Sequence, residues 1–174
     1  MILPKIRDKR FITARRGGTL SDEHHHLLAV WAAECACHVL HYFEEIRPDD
    51  DRPRRAIEAA YAWVDGEIKM KQARNAAGNS QDAAREVKAI SEAARLAALS
   101  AGQAAAVAHV AAHELGAASY AIRAVMASSP DGKKEIMRQK EYQWQLKRLP
   151  EKIRSLVIDD QRLRNDICWF VFDK

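Results

Sequence analysis

One alanine-rich stretch, GQAAAVAHVAAHELGAASYAIRAV at residues 102–125, limits most strictly how this chain can fold. A helix over about 103–127 would be nearly apolar all round, and such a helix must be surrounded by other elements. Because glycine (7) and proline (5) are scarce among the 174 residues, the other segments can also form long helices. The sequence therefore predicts an all-α protein with this helix at its centre.

Glycine and proline punctuation divides the rest of the chain into further helices, about six to seven in all. Ser21 is expected to cap the first helix. Gly78-Asn79 predicts a break between helices over about 67–77 and 80–100, although a long helix can absorb one glycine at ~1 kcal/mol. No segment keeps the period of two that is typical of a strand. We predict a single-domain bundle or short superhelix over residues 21–174, preceded by a basic extended segment, residues 1–20.

Charge is distributed unevenly, although the formal net charge is only +4. Residues 21–51 carry eight Asp/Glu and one Arg, whereas residues 1–20 and 132–154 are basic. These segments can neutralise one another within the fold, or one of them can meet a charged partner. The apolar stretches are too short to span a membrane, and the N-terminus lacks the apolar core of a secretory signal. Three cysteines without a pairing pattern then favour a reduced, cytoplasmic protein.

Polar residues that interrupt the apolar pattern mark a first candidate site. His109 and His113 are four residues apart, so one continuous helix would carry both on the face that also holds Tyr120. Asp160 and Arg164 interrupt the apolar stripe of the last helix at a spacing that allows an ion pair. In the first helix, His38 lies beside Trp31 and Glu34. The candidate polar core or pocket comprises Trp31, Glu34, His38, His109, His113, Tyr120, Asp160 and Arg164.

Two interpretations of this polar set remain open. In the structural one, His109 or His113 pairs with Asp160 inside the core. In the functional one, His38, His109 and His113 bind zinc or iron, and the chain is a metal-dependent helical-bundle enzyme. An HEXXH motif, a phosphate-binding loop and a G-x-S-x-G elbow are all absent from the sequence. We therefore expect no cofactor, and no catalytic residue is assigned.

The loop RPDDDRPRRAIE at residues 47–58 is the second candidate site. Its aspartates can cap the following helix, whereas Arg54 and Arg55 in the first turn need acidic neighbours, a phosphate or a partner's carboxylates. With the two glutamates before it, the loop predicts an acidic surface suited to a basic partner. The candidate partner-binding residues are Glu44, Glu45, Arg47, Asp49, Asp50, Asp51, Arg52 and Arg54.

Four strings in order carry a family resemblance over about residues 10–172: RFITARRGGTLSDEHHHLLAVWAAECACHVL, FEEIRPDDDRPRRAIEAAYAWVDGEI, AARLAALSAGQAAAVAHVAAHELGAASYAIRAV and RLPEKIRSLVIDDQRLRNDICWFVF. They resemble the immunity-five-like group of immunity proteins from bacterial polymorphic toxin systems. The resemblance implies a small, cytoplasmic, all-helical antidote that binds a cognate toxin. It implies no catalytic set that could be transferred to this sequence.

The leading hypothesis is therefore a non-enzymatic toxin–antitoxin partner that neutralises a cognate protein toxin. The acidic segment suits a basic toxin such as a nuclease. A basic helix over about 132–147, which carries Tyr142 and Trp144, leaves nonspecific nucleic-acid binding as a less favoured alternative. No membrane is expected among the partners, and a homodimer is left open.

Overall fold

Eight α-helices and four short 3-10 turns make up most of residues 3–173, the part of the chain that the computed structural model describes. These residues contain no strand beyond one isolated bridge between Thr13 and Leu20. The helices are α1 (Asp22–Val39), α2 (His41–Glu44), α3 (Arg52–Val64), α4 (Met70–Glu86), α5 (Glu92–Ala106), α6 (Glu114–Ser128), α7 (Lys134–Arg148) and α8 (Glu151–Leu163). The all-α prediction is confirmed, and α2 with four residues is the one very short helix among those described.

Local signals in the sequence fix where two of these helices begin. The Ser21 side chain accepts a hydrogen bond from the backbone N–H of His24 at 3.1 Å, which caps α1. Ser91 caps α5 in the same way, with the N–H of Ala94 at 3.2 Å. Both serines satisfy an N–H group that has no partner within its own helix.

The break predicted at Gly78-Asn79 is wrong, because α4 continues through it from Met70 to Glu86. Gly78 is exposed, and a Cβ added there would meet no atom within 4 Å. Gly78 therefore lowers the stability of α4 through its low helix propensity, but it does not disturb the packing. The chain breaks instead at residues 87–91, where Ser91 starts the next helix.

The single helix predicted over 103–127 is also wrong. α5 ends at Ala106, and a 3-10 turn at Ala111–His113 leads into α6. The backbone carbonyls at this break find partners on distant elements. His25 Nε2 donates to the oxygen of Val107 at 2.7 Å, and Arg164 Nη1 donates to the oxygen of Ala112 at 3.0 Å. These side chains satisfy the carbonyls that a continuous helix would have satisfied internally.

α5 and α6 form the centre of the domain, as their composition predicts. α5 packs against α1, α3, α4 and α6, and almost all of its residues are buried. Small residues bring the helices close enough for side chain to backbone contacts between them. Ser80 Oγ donates to the oxygen of Ala98 at 2.8 Å, and Ser100 Oγ donates to the oxygen of Ala117 at 2.7 Å.

The basic N-terminal segment folds onto this domain. It contains 3-10 turns at Lys9–Phe11 and Ala14–Arg16, so its middle is turned rather than extended. Phe11 and Leu20 are buried, and Arg10 forms an ion pair with Asp159 of α8 at 2.7 Å. The segment crosses the molecule close to the break between α5 and α6. Within residues 3–173, no helix combines the length and the apolar character that a membrane span requires.

Candidate functional site

A buried ionic cluster joins α6 and α8. Arg164 Nε donates to Asp160 Oδ1 at 2.9 Å, and Arg164 Nη2 donates to Glu114 Oε1 at 3.2 Å. At most 5% of each of these three side chains is exposed. Neither His109 nor His113 has a hydrogen bond to Asp160 among the described residues, so the predicted pairing of a histidine with this aspartate is wrong.

Two carboxyl groups in this cluster share a single arginine, so the charges balance when one of the two carboxyl groups is protonated. Burial raises the pKa of Glu114 well above its ordinary value, and Arg164 offsets only part of that effect. Burial alone would lower the pKa of Arg164, but Glu114 and Asp160 together raise it. Burial therefore favours the protonated, neutral form of Glu114, and Asp160 is the carboxyl group that pairs most closely with Arg164. A buried pair that is balanced and hydrogen-bonded in this way is a structural element.

His109 and His113 remain neighbours, although the break in the chain places them in a turn and not on one helix. Their ring centroids lie 5.1 Å apart, and His113 Nδ1 donates to Gln103 Oε1 at 2.8 Å. Burial lowers the pKa of His113 to about 3, with the charge of Arg164 adding to the effect. Burial also lowers the pKa of His109. Both imidazoles are therefore neutral at pH 7.

The remaining members of the predicted polar pocket lie elsewhere in the fold. His38 is at the end of α1 and contacts α7. Tyr120 packs against Trp169 with ring centroids 5.2 Å apart. Trp31 is fully buried and donates its Nε1–H to the oxygen of Gln145 at 3.1 Å, and Glu34 is half-buried on α1.

The alternative metal site made of His38, His109 and His113 is wrong, because the fold does not bring these three residues together. Within residues 3–173, no group of three or more His, Cys, Asp and Glu side chains could hold a metal ion. His109 and His113 do lie next to each other, but His38, the third ligand of the hypothesis, contacts α7 instead.

A groove between α1, α2 and α7 carries the most organised aromatic surface. We call it the α1–α7 groove. The imidazole of His38 stacks on Trp144 at 3.7 Å between centroids with only 3° between the planes. His38 Nδ1 bonds to Glu141 Oε2 at 2.9 Å, and the Arg148 guanidinium lies 4.5 Å from the Trp144 centroid. The groove has a volume of about 260 Å³ and is lined by His38, His41, Tyr42, Met137, Lys140 and Trp144.

The basic helix that suggested nucleic-acid binding offers less free charge than its sequence suggests. Arg138 is buried, pairs with Glu135 at 2.6 Å, and donates to the backbone oxygens of Val171 and Asp173. Tyr142 is also buried, and its hydroxyl donates to Gln161 Oε1 at 3.0 Å. Both side chains therefore anchor α7 to the C-terminal residues and are not open to a nucleic acid.

The acidic loop pairs internally through Arg52. Its guanidinium donates to Asp50 at 2.7 Å and to Glu86 of α4 at 2.7 Å, and Arg47 lies 3.8 Å from the same glutamate. The Arg52 guanidinium lowers the pKa values of both carboxyl groups. This cluster connects the loop to α4, so three of the predicted partner-binding residues, Arg47, Asp50 and Arg52, have contacts within the fold.

Two further ion pairs order the start of α3. Arg54 bonds to Glu44 at 2.7 Å, and Arg55 bonds to Asp51 at 2.7 Å. Glu45 and Asp49 are exposed, and neither has an ion pair with the described residues. These two carboxylates are therefore the ones most open to an external cation.

A comparison with known sequence families gives one match to this helical architecture. The family described as "Imm-5 like putative immunity protein" matches residues 18–152. The chain belongs to this family. The matched range begins two residues before Leu20 and runs to the start of α8, so it contains both the α1–α7 groove and the acidic loop. No curated protein and no solved structure matches the chain.

Two residues of these polar clusters were not singled out in the sequence of this immunity-family member. Glu114 is the only acidic residue in residues 102–125, and that isolation could have marked it as a buried partner for Arg164. Glu141 is 4% exposed and orients His38, but it looks like an ordinary member of a charged helix. Its contact with His38 forms only when α1 packs against α7, so no pattern within α7 alone predicts it.

Proposed function

We propose that this chain is a non-enzymatic immunity protein that binds a protein toxin across the α1–α7 groove. Its membership of the immunity family supports a toxin as the partner. The observation that carries the location is the ordered aromatic surface around Trp144, next to Ile136, which is 56% exposed. Protein interfaces concentrate their binding energy in a few such aromatic and aliphatic anchors.

Trp144 is already held in place before any partner arrives. His38 stacks on its ring, Arg148 lies over it, and buried Glu141 fixes the position of His38. Side chains that are ordered in the unbound protein lose less conformational entropy on binding. This pre-organisation supports a role in recognition, because the half-buried indole of Trp144 is ordered at the surface before a partner binds.

In this proposal the acidic loop forms the charged rim of the interface, because it follows the groove residue Tyr42 in the chain. Tyr42 lines the groove, and Glu44 and Glu45 follow it by two and three residues in the chain. Glu45 and Asp49 keep their charges available, whereas the neighbouring arginines are occupied by internal pairs. An apolar centre with a charged rim is the usual anatomy of a protein interface. The sign of this rim suits a basic toxin such as a nuclease.

Co-expression with the toxin-like product of the adjacent reading frame tests this function. We expect the chain to restore growth and to co-elute with the toxin on gel filtration. Failure of both would refute the proposal.

A matched pair of variants tests the location of the interface. Ile136→Asp should weaken binding of the toxin by ~10-fold or more, because it places a charge on the exposed apolar surface that Ile136 shares with Trp144 at the edge of the groove. Ile90→Asp is the control, since Ile90 is 62% exposed but lies in the turn between α4 and α5. Equal affinity of the two variants, measured by titration calorimetry, would exclude the α1–α7 groove as the contact surface.

A further inference from the structure

A second cavity opens where the N-terminal segment passes the break between α5 and α6. Its volume is about 410 Å³, within the size range of small-molecule sites. Its walls come from four parts of the chain that only the tertiary fold brings together. We call it the arginine cavity, and the residues that define it are Arg7, Phe11, Arg16, Trp63, Met70 and His109.

Three arginines at or near this cavity have no side-chain partner among residues 3–173. Arg7 and Arg16 line it, and Arg74 projects from α4 one turn after the lining residue Met70. None of the three side chains has an ion pair, a hydrogen bond or an aromatic contact with residues 3–173. Every other arginine in that range pairs with a carboxylate or lies over an aromatic ring.

This contrast matters because the fold otherwise neutralises its guanidinium groups. Arg15 also lines the cavity, but it pairs with Asp22 at 2.8 Å. Arg10, in the same segment, pairs with Asp8 and Asp159. Among residues 3–173, the arginines without an ion pair or a ring contact are therefore found at or near this cavity. Guanidinium groups have the planar, forked geometry that fits phosphate oxygens.

An unsatisfied polar atom also lies at the cavity. His109 Nδ1 is buried and has no hydrogen-bond partner among the described residues. A neutral imidazole offers one donor and one acceptor, so a ligand hydroxyl or oxygen could complete this bond. Burial and the charges of Arg74, Arg7 and Arg16 lower the pKa of His109, which places all three guanidinium groups within electrostatic reach of the ring.

The opposite part of the cavity is apolar and aromatic. Phe11, Trp63 and Met70 contribute to its walls. The rings of His25 and His26 pack at 4.8 Å and 5.0 Å from the Trp63 centroid and hold the indole in position. A fixed aromatic wall favours a planar ring on the ligand, because the faces of nucleic-acid bases stack on aromatic side chains.

We propose that the arginine cavity binds a small phosphorylated ligand with a planar ring, of the nucleoside monophosphate class. Arg7, Arg16 and Arg74 contact the phosphate. Phe11 and Trp63 pack against the base, and His109 bonds to a polar atom of the ligand. This site is made of residues other than those of the α1–α7 groove, so it does not depend on the proposed toxin contact.

Titration calorimetry on the full chain in phosphate-free buffer tests the proposal. The probes are adenosine 5′-monophosphate, guanosine 5′-monophosphate, adenosine and inorganic phosphate. We expect at least one nucleotide to bind with a Kd below ~1 mM, and to bind more tightly than either adenosine or phosphate. No nucleotide binding at that concentration would overturn the proposal, and equal binding of phosphate and nucleotides would overturn the assignment of the ligand class.

Variants separate the two halves of the site. The triple variant Arg7→Gln, Arg16→Gln and Arg74→Gln should weaken nucleotide binding by ~10-fold or more. Arg85→Gln is the control on α4, since Arg85 is exposed and pairs with Asp82. Trp63→Leu should weaken nucleotide binding more than phosphate binding, which a general loss of folding would not do. Unchanged affinity in the triple variant would rule out this site.

Discussion

At the scale of single residues, stability depends on polar groups that are buried and mutually satisfied. Glu114 has no exposed surface, and Arg164 and Asp160 are almost as deeply buried. Removing one member of such a set leaves an uncompensated charge or an unpaired donor in the core. A variant that leaves an unbalanced charge in the core should therefore lower the free energy of unfolding most. Replacement of Glu114 by a neutral residue of the same shape should lower it little.

Arg164→Met should lower the free energy of unfolding by about 3–5 kcal/mol, because it leaves Asp160 charged and buried without a cation. Urea denaturation measures this change. Arg162→Met is the matched control on the same helix, since its ion pair with Asp159 is exposed and such pairs contribute about 0–1 kcal/mol. Similar losses in the two variants would contradict the structural role of the buried cluster.

His113 should make the protein sensitive to acid. Its pKa is about 3 in the folded protein against an ordinary value of 6.5. A histidine with a lowered folded pKa contributes stability above pH 6.5, and that contribution is lost as the pH falls towards 3. Between pH 7 and pH 4, the free energy of unfolding should fall less in His113→Gln than in the native chain. Urea denaturation at each pH measures this difference. An NMR titration midpoint of His113 near its ordinary value would contradict this expectation.

At the scale of helices, two boundaries predicted from the sequence are wrong, for opposite reasons. Gly78 suggested an end inside α4, where the exposed backbone simply continues as a helix. The alanine-rich run suggested one helix where the chain turns after Ala106. Propensity differs by at most ~1 kcal/mol per residue outside proline, so tertiary partners can override it in either direction.

Gly78→Ala should therefore stabilise the protein by ~0.5–1 kcal/mol, because alanine has the higher helix propensity and the site has room for its methyl group. Gly116→Ala is the contrasting control, since its added Cβ would lie 2.3 Å from Gln103 Oε1, the oxygen that His113 binds. That variant should lower the thermal midpoint while Gly78→Ala raises it. A lower midpoint for Gly78→Ala would mean that the glycine has a role beyond helix propensity.

At the scale of the whole molecule, most charged groups are used to hold the fold together. The loop before α3 is tied to α4 by Arg52, and the N-terminal segment is tied to α8 by Arg10. The charges that remain unpaired at the two proposed binding sites differ in sign. Glu45 and Asp49 lie in and just before the acidic loop, and Arg7 and Arg16 line the arginine cavity.

Reversing charge at the acidic rim should slow capture of a basic toxin. Glu45→Lys combined with Asp49→Lys should lower the association rate and weaken its dependence on salt, because rim charges act mainly on the encounter of the two proteins. Glu67→Lys combined with Asp65→Lys is the control, because both residues are exposed and lie in the turn after α3. Stopped-flow measurement of the association rate at several ionic strengths distinguishes the two double variants. Identical rates would show that the rim does not steer binding.

The sequence by itself determined the helical class, the cap of α1, the central position of the alanine-rich helices and the family. Each of these depends on composition or on residues close together in the chain. Only the tertiary structure decided where α5 ends and which polar residues meet. Val107 and Ala112 lose their helical hydrogen bonds because His25 and Arg164, distant in sequence, supply replacements. The predicted polar pocket therefore divides into a buried ionic cluster, a histidine pair beside the arginine cavity, and an aromatic groove, since contacts between distant segments leave no periodic signal in the sequence.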